Sequence, residues 1–255
     1  MAEGIVSRVL PTAMVDNSNV QISNNRRTRY GEAYTVQMLT PRHLGADEGS
    51  YFVAQNATPG TGIAKNGAIT SFSDTNALFV LQNTSASGAT PAGKSIYLDS
   101  LTLIVTTAQA AGIAKHFAFK KSTISRECTT AANRTVVTAN NMRLSGPTSI
   151  AKLTAYNAAG AHTVPASVVT DVFYGRVCIP HGAMIIHDTY VVRFGAEPMA
   201  DKAGGAAVRA TDGGAYTISA PPIIVDPGEW LVIHEWDVTE GGAPAYEYQL
   251  TWWER

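Results

Sequence analysis

The chain predicts an all-β protein, an antiparallel β-sandwich, and three observations lead there. Short apolar runs recur roughly every 8 to 15 residues between clusters of Gly, Pro, Asn and Thr, the punctuation of strands and turns. No stretch sustains a 3.6-residue apolar period long enough for a substantial helix. Residues 221–236, PPIIVDPGEWLVIHEW, hold two apolar arms around Asp226-Pro227-Gly228-Glu229. Pro presets φ there and Gly tolerates the next position of the turn, so the stretch reads as a tight β-hairpin.

In chain order, residues 1–66 stand apart. Their apolar patches at 6–10, 34–39 and 51–54 are interrupted every few residues by Pro, Gly or Asn, and neither the helical nor the strand period is kept. They are expected to form an extended N-terminal arm with one or two strands, laid along its own domain or a neighbouring subunit. The turn-forming PGTGIAKNG marks the boundary, and residues 67–255 form the sandwich domain.

Strands then follow closely. Residues 69–72 are short, and 76–84 (NALFVLQNT) form a buried run. Along 94–108, Ile96, Leu98, Leu101, Leu103 and Val105 alternate with a slip at Asp99-Ser100, which predicts a bulge. Strands are also expected at 113–121 and 135–139, with a loop over 140–147. Residues 150–164 read as two short strands about Asn157-Ala158-Ala159-Gly160, a helix over 150–159 being the competitor. Residues 168–179 are a strand broken at Gly175, and 184–194 one kinked near His187-Asp188. Residues 200–214 are a surface loop, 216–220 lead into the hairpin, and in 245–253 Tyr246, Tyr248, Leu250 and Trp252 alternate cleanly. That makes about nine or ten strands, and the long loops between them favour jelly-roll or Greek-key crossings over a meander.

Composition narrows the function. Of 255 residues 45% are hydrophobic and only 15% charged, which suits a close-packed subunit partly covered by neighbours. A net charge of −1 gives no general footprint for nucleic acid or an anionic membrane. No apolar run approaches the ~18 residues of a spanning helix, so a soluble protein made in the cytosol is expected. Cys128 and Cys178 read as two buried thiols, with one disulfide as the alternative.

No catalytic, cofactor or metal site is expected. His181, His187 and His234 with Glu235 are the nearest approach to a metal set of cupin type, but strand alternation sends His234 and Glu235 to opposite faces. Asp226, Glu229, Glu235, Asp237 and Glu240 cluster near the hairpin without the paired placement a glycosidase needs. No GxSxG elbow, Walker loop or GxGxxG occurs. Arg26, Arg27 and Arg29 form a basic cluster better suited to carboxylates of an adjacent subunit than to nucleic acid. With Tyr30, Tyr34, Tyr51 and Phe52 they are the subunit-contact candidates. Tyr246, Tyr248, Trp252 and Trp253 are the aromatics of a possible sugar-stacking face, the alternative being a core or subunit contact.

The pair NALFVLQNT…GKSIYLDSLTLIV, the stretch PPIIVDPGEWLVIHEW, and the arm containing RYGEAYTVQM…LGADEGSYFVAQNATPGTGIA together resemble bacteriophage virion proteins with a jelly-roll domain. The resemblance implies a structural protein that cements or decorates the capsid, located in the virion. It further implies a homo-oligomer, a trimer among the cyclic orders, and partners such as a major capsid protein. The alternatives are a tail or fibre-attachment protein, or a lectin-like module binding a cell-surface glycan.

Overall fold

The computed structural model describes residues 26–27, 33–34, 41–64, 69–86, 93–109, 114–157, 161–180, 184–196, 215–238 and 241–255. The chain divides into two units, Met1–Leu44 and Gly45–Arg255. In the first, β1 (Arg26–Arg27) pairs antiparallel with β2 (Ala33–Tyr34). The helix α1 (Pro41–Asp47) is the only α-helix among the described residues.

The regular secondary structure of the second unit is nearly all strand. Its elements are β3 (Tyr51–Gln55), β4 (Ile63–Ala64), β5 (Phe79–Asn83), β6 (Ile96–Thr107), β7 (Ala114–Ser122), β8 (Arg134–Val137), β9 (Ala139–Asn141) and β10 (Ala151–Tyr156). There follow β11 (Val172–Pro180), β12 (Thr189–Phe194), β13 (Ala215–Ala220), β14 (Ile224–Val225), β15 (Trp230–Asp237) and β16 (Ala245–Glu254). One sheet has six strands in the order β11-β7-β15-β5-β10-β8. The other has eight, β13-β12-β6-β16-β3-β9, with β14 added on β6 and β4 on β16. Every described pair is antiparallel except β12 with β13.

Period-2 alternation fills one core between the sheets. Phe79 and Leu81 of β5 and Leu231 and Ile233 of β15 meet Tyr246, Tyr248, Leu250 and Trp252 of β16. Rings from opposite sheets touch, Phe79 with Tyr248 at 4.9 Å and Phe119 with Phe194 at 5.0 Å. A buried side chain of this size contributes about 1.5–3 kcal/mol. The outer face of the six-stranded sheet carries a second cluster: Val80, Trp230 and Val232, covered by Ala77 and Val164.

The expected bulge at Asp99 is present, since the β6–β16 register shifts between Thr251 and Trp252 opposite Ser100 and Leu98. The displaced Asp99 turns to polar partners, accepting from Tyr51 Oη at 2.7 Å and Thr251 Oγ1 at 3.2 Å. β11 is irregular between Phe173 and Gly175, also as expected.

Three expectations need correction. The stretch at 221–236 is not a hairpin: β14 pairs with β6 in one sheet, while β15 lies between β5 and β7 in the other. Its turn is nonetheless of the anticipated kind, with Glu229 N donating to Asp226 O at 2.9 Å and Gly228 at φ 81°. Asn83 ties this inter-sheet corner by donating to Lys94 O and Val225 O at 2.8 and 2.9 Å. Second, the sandwich begins at Gly45 and not after residue 66, because β3 lies between β16 and β9 and β4 pairs with β16. Of the extended arm expected over residues 1–66, most of residues 1–44 lies outside the described residues. Third, residues 69–72 form no strand, and 161–164 contribute only a single bridge, Thr163 to Asn76.

Candidate functional site

Lys115 is placed inside the sandwich by the same alternation that buries Phe117 and Phe119 on β7. Directly across on β15 stands Asp237, with Glu235 two residues along on the same inner face. Lys115 Nζ lies 2.7 Å from Glu235 Oε1 and 3.9 Å from Asp237 Oδ2. Gln109 bridges, accepting from Lys115 Nζ and donating to Asp237 Oδ2, each at 2.9 Å. The Tyr246 hydroxyl faces Glu235 Oε1 at 3.5 Å. Burial, and then the charges of Asp188, Asp237 and Glu235, hold the nearby Tyr190 phenol far above its ordinary range. An isolated buried charge would be costly, and here each has an opposite partner.

A second polar group lies on the outer face of the six-stranded sheet, where residues 161–171 cross it. Asp74 pairs with Lys120 Nζ at 2.7 Å and accepts from Ser167 N at 2.5 Å; Ser167 Oγ also contacts both Asp74 and Lys120. Beside it Arg126 pairs with Asp171 and donates to Pro165 O at 2.6 Å. Partial burial raises the Asp74 pKa, but the hydrogen bonds from Lys120 and Ser167 and the Lys120 charge outweigh it and bring it to about 2. A carboxylate so held is too weak a base to take the Ser167 proton, and Lys120 is committed to an ion pair. The arrangement is chemically a clamp.

Cys178 and His116, opposite one another on β11 and β7, bring Sγ within 3.7 Å of Nε2. Burial pushes the thiol up, with the Arg176 charge opposing, and burial and Arg176 push the imidazole down. Both shifts favour neutral groups, the reverse of the thiolate–imidazolium pair of a cysteine nucleophile. The His116 ring stacks on Trp236 at 5.1 Å, and the Arg176 guanidinium lies 5.4 Å from the same indole. Both cysteines are free thiols, Cys128 buried and Cys178 partly so.

The sequence candidates are dispersed. Tyr246 and Trp252 are fully buried and Tyr248 nearly so, because β16 turns these alternate positions into the core. That corrects the sugar-stacking face; only Trp253 is on the other side, packed on Tyr51 at 5.0 Å. Tyr51 and Phe52 are also buried, as part of β3, so they are corrected as subunit contacts. Arg26, Arg27 and Tyr34 lie on the β1–β2 ribbon, while Arg29 and Tyr30 fall outside the described residues.

His181 and Glu240 likewise lie outside them. His187 is exposed at a turn with φ 75°. His234 and Glu235 do face opposite ways: His234 donates from Nδ1 to Asn76 O at 2.8 Å on the outer face, while Glu235 meets Lys115 inside. No group of three or more metal-ligating side chains occurs among the described residues. The polar residues that sequence reasoning passed over are Lys115, Asp74, Lys120, Ser167, Arg126, Asp171 and His162. For Lys115 a signal existed, since IAKHFAFKK places it in phase with Phe117 and Phe119.

Large apolar side chains are left in solvent at the two ends of the strand order. Val172, Phe173 and Tyr174 are about half exposed on edge strand β11, next to the wholly exposed Val169. At the other end lie Val136 on edge strand β8, and Met142 and the fully exposed Leu144 just after β9. The Leu144 loop is braced by Asn141, which donates to Gly49 O and Pro147 O and accepts from Arg143 N, all within 2.9 Å. Comparison with protein-family models, with curated proteins and with solved structures gives no match for this chain.

Proposed function

We propose that this chain is a structural subunit of a bacteriophage particle, stabilising or decorating the capsid through contacts between subunits and with a major capsid protein. The observation that carries the reading is the apolar surface at opposite edges of one sandwich, on β11 at one end and on β8 and the Leu144 loop at the other. Exposed apolar side chains gathered at sheet edges mark association surfaces. Edges of unlike composition on one subunit suit head-to-tail packing, which closes into a ring when the rotation between copies allows.

A jelly-roll form of the sandwich belongs to the same proposal, and the pairing of strands supports it. β3 pairs with β16, β5 with β15, β6 with β12 and β7 with β11, each antiparallel. The first of these eight strands therefore meets the last and the second the next to last, as in a folded ribbon wound into two sheets. β8, β9 and β10 are then an insertion that widens both sheets on one side. Residues 1–44 are the segment proposed to reach neighbouring subunits.

The test is attachment. Purified full-length protein is mixed with capsids lacking it and with tails, and both are sedimented. Co-sedimentation with capsids, reduced in protein lacking residues 1–44, is the expected result. Binding to tails alone moves the assignment to a tail protein, and binding to neither contradicts both.

A further inference from the structure

We propose that residues 75–78 and 161–164, which lie together over the end of the six-stranded sheet, form an acid-released cover held shut by two buried neutral histidines, His162 and His234. The cover is joined by backbone hydrogen bonds: Ala77 N donates to His162 O at 3.1 Å, Val164 N to Thr75 O at 2.8 Å, and Thr129 N to Thr163 O at 2.8 Å. Both histidine side chains adjoin the same stretch, His234 through a hydrogen bond and His162 by packing beside Asn76, Ala77 and Leu78. The His234 ring, reaching out from β15, donates from Nδ1 to Asn76 O, and its buried Nε2 meets no partner in hydrogen-bonding geometry. His162 is 2% exposed, and neither of its ring nitrogens meets one. Its ring lines a crevice the size of a water molecule, walled by Ile69, Asn76, Ala77, Leu78, Tyr156 and Glu235.

A proton added to either ring places a charge where water is excluded, which costs free energy whatever neighbour accepts the new N–H. The groups that face His162 are the Ala77 and Leu78 carbonyls, which favour the charge, the Arg134 cation of β8, which opposes it, and Glu235, already paired with Lys115. Those that face His234 are Asp74, which favours the charge, and Lys120 and Arg126, which oppose it; Asp171, in the same crevice, is paired with Arg126. Burial outweighs the favourable neighbours at both sites, moving His162 from 6.5 to about 4 and His234 also down. The opened cover therefore binds protons more readily than the closed one. Closure is fully stable above the ordinary histidine range and weakens as pH falls from about 6.5 towards 4.

The opening is local. Asp74, held at about 2, stays ionised throughout this window, so the Asp74–Lys120–Ser167 clamp keeps the far end of the cover attached. What opens is the edge of the cluster of Ala77, Val80, Val164, Trp230 and Val232, an apolar surface presented only in acid. This device depends on the cover alone and stands or falls separately from the assembly reading.

Hydrogen exchange of the full-length protein at pH 7.5 and pH 4.5, corrected for the intrinsic rate at each pH, tests it. The Ala77 and Val164 amides are expected to lose protection by about tenfold or more while Ser167 and the core of β16 keep theirs. In the His162→Phe/His234→Asn protein, which removes both titrations and leaves a donor for Asn76, that loss is expected to vanish. Unchanged protection at Ala77 and Val164 in the wild type, or equal loss in the double variant, overturns the proposal. Should the double variant not fold by near-ultraviolet circular dichroism, the wild-type contrast between Ala77 and Ser167 decides: equal loss at both overturns it, and loss at Ala77 alone upholds it.

Discussion

Lys115 and Glu235 meet at 2.7 Å inside the sandwich with both side chains closed to solvent. They join β7 and β15, two neighbouring inner strands of the six-stranded sheet, at the end where the apolar core gives way to Gln109, Asp237 and Tyr246. Such a pair adds less than its distance suggests, because desolvation of both ions offsets much of the attraction. Losing one member is another matter.

Lys115→Met leaves Glu235 and Asp237 facing each other without their cation and is expected to cost about 3–5 kcal/mol. Adding Glu235→Leu is expected to restore part of that, since an apolar pair of similar volume replaces a broken ion pair. Urea unfolding at neutral pH, with single and double variants compared, measures both.

Trp252→Ala removes a core indole whose Nε1 donates to Glu254 Oε1 at 3.0 Å. Glu254 stays tied to Ile150 N, so the cavity dominates, and a loss of about 3–5 kcal/mol is expected. A stable, normally folded Trp252→Ala protein that had lost only glycan binding would contradict this placement.

Gly62 offers a sharper test of the added edge strand β4. A Cβ there would run into Thr106 Oγ1 and lie 2.9 Å from the Tyr246 amide nitrogen, which as backbone cannot turn aside. Gly62→Ala is expected to cost about 1–3 kcal/mol, read as a lowered melting temperature, with faster exchange of the β4 amides.

Asp74 predicts a different arm of the pH profile from the histidines. Its folded pKa is lowered from 3.8 to about 2, so its contribution is full above the ordinary carboxylate range and is lost as pH falls through about 2. Asp74→Asn is expected to lower stability at pH 7 and to flatten the profile between pH 4 and 2. The group is partly exposed, so the effect is smaller than the shift alone implies.

Much of the sandwich was legible because β6 and β16 alternate over long runs broken by few slips, and because Asp99 and Gly175 interrupt their strands in recognisable ways. The corner at 221–236 was not. Two buried arms about a Pro-Gly turn look alike whether they pair with each other or pass to different sheets, and only the partners β6 and β5 decide. β3 was hidden by its brevity, five residues of which four are buried, so no period could show. His162 stood alone in an Ala-rich stretch, and its burial comes from residues 69–78, distant in sequence. The polar clusters were invisible for the same reason, each being assembled from three or more separate segments.

Association through the sheet edges is tested most directly by sedimentation equilibrium of the full-length protein beside its Phe173→Ser/Leu144→Ser variant. Leu144 is fully exposed and Phe173 half exposed, its ring resting on Phe72 and below Lys120, so the variant is expected to fold with the wild-type circular dichroism and a somewhat lower melting temperature. A wild-type oligomer that dissociates by about tenfold or more in the variant is the predicted result. A wild-type protein that remains a strict monomer at high concentration, or an oligomer that the variant leaves unchanged, would contradict it.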